Sequence, residues 1–253
     1  ALCQFQALHP NIQVLTHHDV LQLEQIDGQW LARQGEQVLA SATVVILAGA
    51  AEVKRFAATT DLPLKRIRGQ ITQLMETAQT AVLKTVVCAE GYVAPGRLGE
   101  HTLGASFDFH NDDLTTTPAG HQGNIDLLQE ISGDLVERFG EQLDPEHLQG
   151  WAAFRCTSPD YLPIVGPVSY PELFADAYAV LRKDARQVPD TQCPWLQGLY
   201  VNSGHGSRGL ITAPLSGEIL AAWINNDPLR VPRAIAEACH PNRFSVRALI
   251  KGL

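Results

Sequence analysis

No apolar run in this 253-residue sequence approaches the eighteen or so residues that cross a bilayer. It also has no internal repeat and no low-complexity stretch, and its first ten residues lack the charged start and apolar centre of a signal peptide. These absences make a cytoplasmic protein with no membrane partner the expectation. The five cysteines (Cys3, Cys88, Cys156, Cys193 and Cys239) are odd in number and scattered, with no Cys-x-x-Cys pair, so neither a disulfide framework nor a zinc-site spacing is present. His17 and His18 are neighbours, and neighbours on a strand point to opposite faces, so no metal site is expected. Basic residues are outnumbered: the net charge of −8 argues against general affinity for nucleic acid.

That deficit is uneven. Residues 229–253 hold five basic groups (Arg230, Arg233, Arg243, Arg247 and Lys251) against Glu237, a local balance of +4 that leaves −12 on the rest. This segment reads either as a solvated, Arg-rich tail or as a local phosphate-binding patch. Overall, 45% apolar and 18% charged residues describe an ordinary globular chain, long enough for one large or two small domains.

The patterning places the elements. Strands are expected at Ile12–Thr16, Val20–Ile26, Trp30–Arg33 and Val38–Ala40, with Asp27-Gly28 supplying hairpin-turn chemistry. The continuous apolar run Val44–Ala50 fits a strand buried on both faces, and Gly49 at its end lets backbone approach a ligand. From Leu62 onward the alternation predicts an antiparallel sheet, with strands at Ile67–Met75, Val82–Ala89, Gly91–Ala94, Thr102–Phe107 and Gln149–Arg155. Ile125, Leu128, Ser132, Leu135 and Phe139 recur at helical spacing and predict one amphipathic helix over His121–Phe139. A Pro-rich turn, Thr157–Pro167, comes after the last of those strands, and further on Gly198–Asn202 reads as a short strand before a helix over Ala213–Asn225 with Pro214 in its first turn.

Gly204-His205-Gly206-Ser207-Arg208-Gly209 satisfies G-x-G-x-x-G between that strand and helix. A dinucleotide fingerprint would need a second parallel strand after the helix, ending in an acid about twenty residues beyond the glycines. Asn226-Asp227-Pro228-Leu229-Arg230-Val231-Pro232 supplies neither. The glycines still let backbone N–H groups and a helix N-terminus meet a ligand of partial negative charge, such as the N1 and C2-carbonyl edge of a flavin ring. A glycine-rich turn used for tight packing alone is the plainer alternative.

Five features in order resemble the D-amino-acid oxidase and glycine oxidase family: Ala48-Gly49-Ala50 ending a strand, Arg68-Gly69-Gln70, Tyr92-Val93-Ala94-Pro95, the stretch from Arg155 to Gly166, and the Gly204-His205-Gly206…Ala213-Pro214 turn and helix. Leu62–Gln70, Glu90–Pro95, Leu103–Phe107 and Ser203–Leu210 are similar to one branch, the oxidoreductase domain of bifunctional bacterial enzymes that complete methylaminomethyl-thiouridine at the tRNA wobble position. The resemblance implies an α/β fold with an α+β substrate domain: a partial FAD-binding domain of Rossmann-like, glutathione-reductase type, plus an antiparallel-sheet substrate domain. The expected layout is 1–60 and 196–226 in the FAD-binding part, 61–195 in the substrate part and 227–253 as a basic tail.

The resemblance also implies FAD as cofactor, a wobble-modified tRNA as partner, and an N-terminal methyltransferase domain in cis that uses S-adenosylmethionine. The oxidoreductase of that branch acts on a carboxymethylaminomethyl uridine by hydride transfer to flavin and leaves the aminomethyl form. The family's opening strand, Gly-rich turn and helix, which bind the ADP half of FAD, have no counterpart before Pro10, so a C-terminal piece is expected. Cofactor contacts are expected from Ala48, Gly49, Arg68, Gly69, Gln70, Gly204, His205, Gly206, Ser207, Arg208, Gly209 and Leu210. Arg155 is expected to anchor the substrate carboxylate, against the alternative of pairing with a structural acid. Tyr92 and Arg208 are expected to line the reacting site, with packing as the alternative for Tyr92, and His205 is expected to shape the turn rather than act as a base. A glycine-oxidase-like oxidase of free amino acids and a cofactor-free piece that docks RNA are the competing functions.

Overall fold

The computed structural model describes residue 9, residues 11–187 and residues 189–252. It divides into two compact units, one made of residues 1–64 with 158–253 and the other of Lys65–Thr157. Residues 158–195, expected with the antiparallel region, fall in the first unit.

The first unit begins with a three-stranded meander: β1 (Gln22–Ile26), β2 (Gln29–Gln34) and β3 (Gln37–Ala42). Asp27 and Gly28 both take positive φ, 49° and 77°, which is the twist a two-residue hairpin needs. No strand forms at the expected Ile12–Thr16, where Ile12 and Leu15 are exposed. β4 (Val45–Leu47) is parallel to a later strand, as its apolar run predicts. Burial on both faces does not hold, because Ile46 is 43% exposed.

The second unit is a five-stranded antiparallel sheet in the order β6-β7-β8-β5-β9, built from β5 (Lys65–Met75), β6 (Val87–Cys88), β7 (Tyr92–Val93), β8 (Glu100–Gly104) and β9 (Gln149–Thr157). Arg68, Gln70 and Thr72 of β5 face α1 (Pro118–Ile131), while Ile67, Gly69 and Ile71 take the opposite face. The single helix expected over His121–Phe139 is two: α1 and α2 (Gly133–Phe139). Ser132 is extended, and its hydroxyl accepts from the Leu135 N–H, so capping chemistry overrode the helical spacing. Leu74, Val93, Leu103, Leu128, Leu135 and Phe139 form the core between sheet and helices, each worth about 1.5–3 kcal/mol of transfer free energy.

The chain then returns to the first unit. The expected Pro-rich turn contains a strand, β10 (Ile164–Ser169), followed by α3 (Pro171–Ala177). β11 (Trp195–Ser203) pairs antiparallel with β10 and parallel with β4. α4 (Gly209–Asn225) starts four residues before the expected Ala213, so Pro214 lies inside it rather than in its first turn. The Arg208 carbonyl accepts from Ile211 N–H, Thr212 N–H and the Thr212 hydroxyl at 3.0–3.1 Å, which starts the helix early. The segment expected as a basic tail, 227–253, is folded over its described residues: α5 (Arg233–Cys239) and α6 (Arg243–Lys251) form there, Cys239 packs with Val165, Ile219 and Leu220, and Leu249 packs with Phe174 and Leu181.

Candidate functional site

In the Lys65–Thr157 unit, the unbroken β5–β9 register pairs Ile67 with Arg155, Gly69 with Ala153 and Ile71 with Trp151, so these six side-chain positions share the sheet face opposite α1. The Arg155 guanidinium lies directly over Gly69, where a Cβ would overlap it. Its Nη1 donates to the Ser106 carbonyl at 3.0 Å, and its carbon sits 4.2 Å from the centre of the Phe107 ring. Burial lowers its pKa and the nearby Tyr92 works the other way; an arginine remains charged throughout. Among the described residues no carboxylate pairs with it, which removes the structural-acid alternative. Tyr92 reaches the same face through the row Tyr92–Gly104–Ile71–Trp151.

Arg68 and Gln70 differ from that arrangement. Arg68 is buried, with its guanidinium donating to the carbonyls of Asp113 and Thr115 and to Gln70 Oε1. Gln70 exchanges hydrogen bonds with the Thr117 backbone at 3.0 Å. These two side chains tie the sheet to the loop before α1, so of the Arg68-Gly69-Gln70 triplet only Gly69 borders Arg155. Phe107 and Trp151 lie outside the sequence-predicted set; the one signal for Trp151 is its even spacing from Arg155 on a single strand.

In the other unit, β4 and β11 end side by side, and the Ser203 hydroxyl donates to the Ala50 carbonyl at 2.9 Å, joining the Ala48-Gly49-Ala50 turn to the glycine turn. Gly204 and Gly206 take φ of 73° and 59°, the left-handed region that favours glycine. Both nitrogens of His205 are engaged, Nδ1 with Thr212 Oγ1 at 2.8 Å and Nε2 with Asn202 Oδ1 at 2.9 Å. The ring thus clamps the end of β11 to the first turn of α4, and burial lowers its pKa. Ser207, Arg208 and Leu210 are exposed around the α4 N-terminus, Leu210 at 97%. The first N–H groups of a helix have no intrahelical acceptor. Open apolar contact beside free donors and two positive-φ glycines fits the pyrimidine edge of a flavin ring.

A third cluster joins distant segments of that unit. Asp160 accepts from Arg243 Nη2 at 2.9 Å and Nε at 3.1 Å, from Arg247 Nη1 at 2.6 Å, and from the Ser158 hydroxyl at 3.0 Å. These contacts hold its carboxyl well below the usual carboxylate range. The described residues contain no cluster of His, Cys, Asp and Glu suited to a metal, and no helix long and apolar enough to cross a membrane.

The family model for FAD dependent oxidoreductases (DAO) matches residues 4–223. The chain is 70% identical, over all of its length, to the tRNA 5-methylaminomethyl-2-thiouridine biosynthesis bifunctional protein MnmC of Pseudomonas fluorescens, and 67% identical to the same-named protein of Pseudomonas entomophila. It spans 38% and 39% of those proteins. Among solved structures, glycine oxidase from Geobacillus kaustophilus aligns over 89% of this chain and 52% of its own, with a TM-score of 0.63 at 18% identity. L-proline dehydrogenase from P. horikoshii aligns over 90% of this chain and 54% of its own, with a TM-score of 0.59 at 17% identity. At these identities the likeness is one of fold.

Proposed function

The chain belongs to the FAD dependent oxidoreductase family, and we propose that it oxidises the carboxymethylaminomethyl arm of a tRNA wobble uridine to the aminomethyl form. The observation that carries this reading is Arg155: a half-buried guanidinium, held over Gly69 by Ser106 and Phe107, with no carboxylate of its own among the described residues. A fixed cation without an internal partner is a seat for an anion, and a guanidinium takes a carboxylate bidentately. The arm is a substituted glycine, a secondary amine next to CH2–COO⁻.

Arg155 binds the carboxylate and Tyr92 borders the arm. In the other unit the turn around Gly204 and Gly206, the α4 N-terminus and the Ala48-Gly49 strand end hold the flavin ring, with Arg208 at its edge. When bound, FAD supplies the two-electron acceptor for hydride from the carbon between amine and carboxylate. The amine gives up its proton, and water cleaves the resulting C=N bond to release the aminomethyl uridine and glyoxylate. His205 is left as the clamp of the turn, because both its nitrogens already have partners. In this reading Lys65–Thr157 bears the substrate, and the remaining unit bears the flavin.

The relatives, whose name describes a bifunctional protein of tRNA thiouridine biosynthesis, support tRNA as the partner; a methyltransferase domain in cis and a cytoplasmic setting belong to the same proposed reading. Anaerobic mixing of the full-length protein with tRNA carrying the arm tests the reading: bleaching of the oxidised flavin band is expected, while bleaching by free glycine alone points to an amino-acid oxidase. A full-length protein purified without flavin absorbance overturns it.

A further inference from the structure

We propose that Trp151 is the stacking platform for the uracil ring of the substrate, the second fixed point of a ruler whose first is Arg155; this rests on the reading of Arg155 as carboxylate anchor. Of the four tryptophans, Trp30 is buried, Trp195 and Trp223 are partly covered, and Trp151 is 62% exposed. Trp151 lies on β9, an edge strand, on the sheet face that carries Arg155.

The guanidinium leans back along its own strand to the row of Gly69 and Ala153, and the next row on the same face is Ile71 and Trp151. Rows of one face are two residues apart, roughly 6.6–6.8 Å. From C5 of the uracil to the carboxylate carbon the arm spans four single bonds, roughly 5 Å at ordinary bond lengths. A carboxylate on Arg155 therefore brings the uracil to within a ring's width of the indole. Along β9 the one same-face residue between Arg155 and Trp151 is Ala153, which is small and exposed.

A free amino acid needs only the anchor; an unstacked anticodon base also needs a flat apolar surface, and aromatic side chains recognise single-stranded bases in this way. The exposed indole thus makes the face specific for an arm attached to a ring.

The test uses the full-length protein with a dye-labelled anticodon stem-loop, comparing wild type, Trp151→Phe and Trp151→Ala. Kd by anisotropy is expected to weaken roughly 5- to 150-fold in Trp151→Ala, the loss of one base–aromatic stack, and to return most of the way in Trp151→Phe. The same factor is expected for a stem-loop with plain uridine, whose ring is unchanged. An unchanged Kd in Trp151→Ala overturns the inference, as does equal damage in Trp151→Phe accompanied by a lost flavin spectrum, which marks a structural role. Tight binding of both stem-loops by the wild type, with no flavin bleaching by the modified one, would sink the catalytic reading instead and leave the stack standing on its own measurement.

Discussion

The Arg155 guanidinium occupies the space where a side chain on Gly69 would have to stand. The glycine is thus a condition for the position of the charge, and Gly69→Ala separates that position from folding. The obstructed atoms are the far end of a flexible side chain, and alanine in a strand interior is no worse than glycine, so the thermal midpoint of the full-length protein should hardly move. Displacing a charged hydrogen-bonding partner costs about 1.5–3 kcal/mol, so KM for the modified tRNA should rise roughly ten-fold or more. An unchanged KM in a folded Gly69→Ala protein would show that the carboxylate is held elsewhere.

Removing the guanidinium itself should cost more. Arg155→Ala takes away the charge, and losses of about 2–5 kcal/mol are typical for one half of a buried charged pair, so kcat/KM should fall by a factor of roughly thirty or more. Arg155→Lys keeps the charge but loses the planar fork, and it should recover only part of the activity. Near-normal turnover by Arg155→Ala would refute the anchor.

The legible part of this fold is local. The alternation of β5 and β9, the Asp27-Gly28 hairpin and the glycine turn before α4 come from residues adjacent in the chain. The failures are contests or long-range pairings. Ser132 sits at a helical spacing, yet its hydroxyl caps the first turn of α2. Arg68 and Gln70 flank Gly69 in a site-like triplet, yet their side chains bond a loop about 45 residues away. Arg243 reads as part of a solvated tail because Asp160, its partner, is 83 residues distant. Trp151 gives only its even spacing from Arg155 in the sequence, because an exposed aromatic acquires meaning only once the face it shares is known.

The Asp160–Arg243 pair also decides how the basic segment can be tested. Arg243 is buried and bidentate, with a side-chain exposure of 6% against 53% for Arg247. Breaking a buried pair by removing one partner costs about 3–5 kcal/mol, whereas an exposed pair is worth about 0–1 kcal/mol. Urea denaturation should therefore show a large loss for Arg243→Ala and almost none for Arg247→Ala. A phosphate-binding role for this segment has to be sought at Arg230, Arg233 and Lys251, since a triple variant that includes Arg243 would lose tRNA turnover through instability alone. Equal midpoints for Arg243→Ala and wild type would remove the pair from the fold's support.

His240 sets the response of the same unit to acid. Its Nδ1 accepts the Asn242 N–H at 3.1 Å, and the rings of Trp195 and Trp223 stand edge-on at 5.6 and 5.8 Å. Burial, aided by the charge of Arg243 and opposed by Glu237, pushes its pKa down to about 4, against about 6.5 in an unfolded chain. Below pH 6.5 the unfolded chain takes up a proton that the folded ring refuses, so the stability from keeping His240 neutral is complete above about 6.5 and drains away as the pH falls toward 4. The difference amounts to about 3 kcal/mol across the window. His121 and His205, also lowered by burial, add in the same direction, while Asp160 responds only at lower pH. His240→Gln cannot titrate, so its urea midpoints measured from pH 7 to pH 4 should fall less steeply than those of wild type. Parallel curves through that window would mean that the ring takes its proton as readily in the fold as out of it.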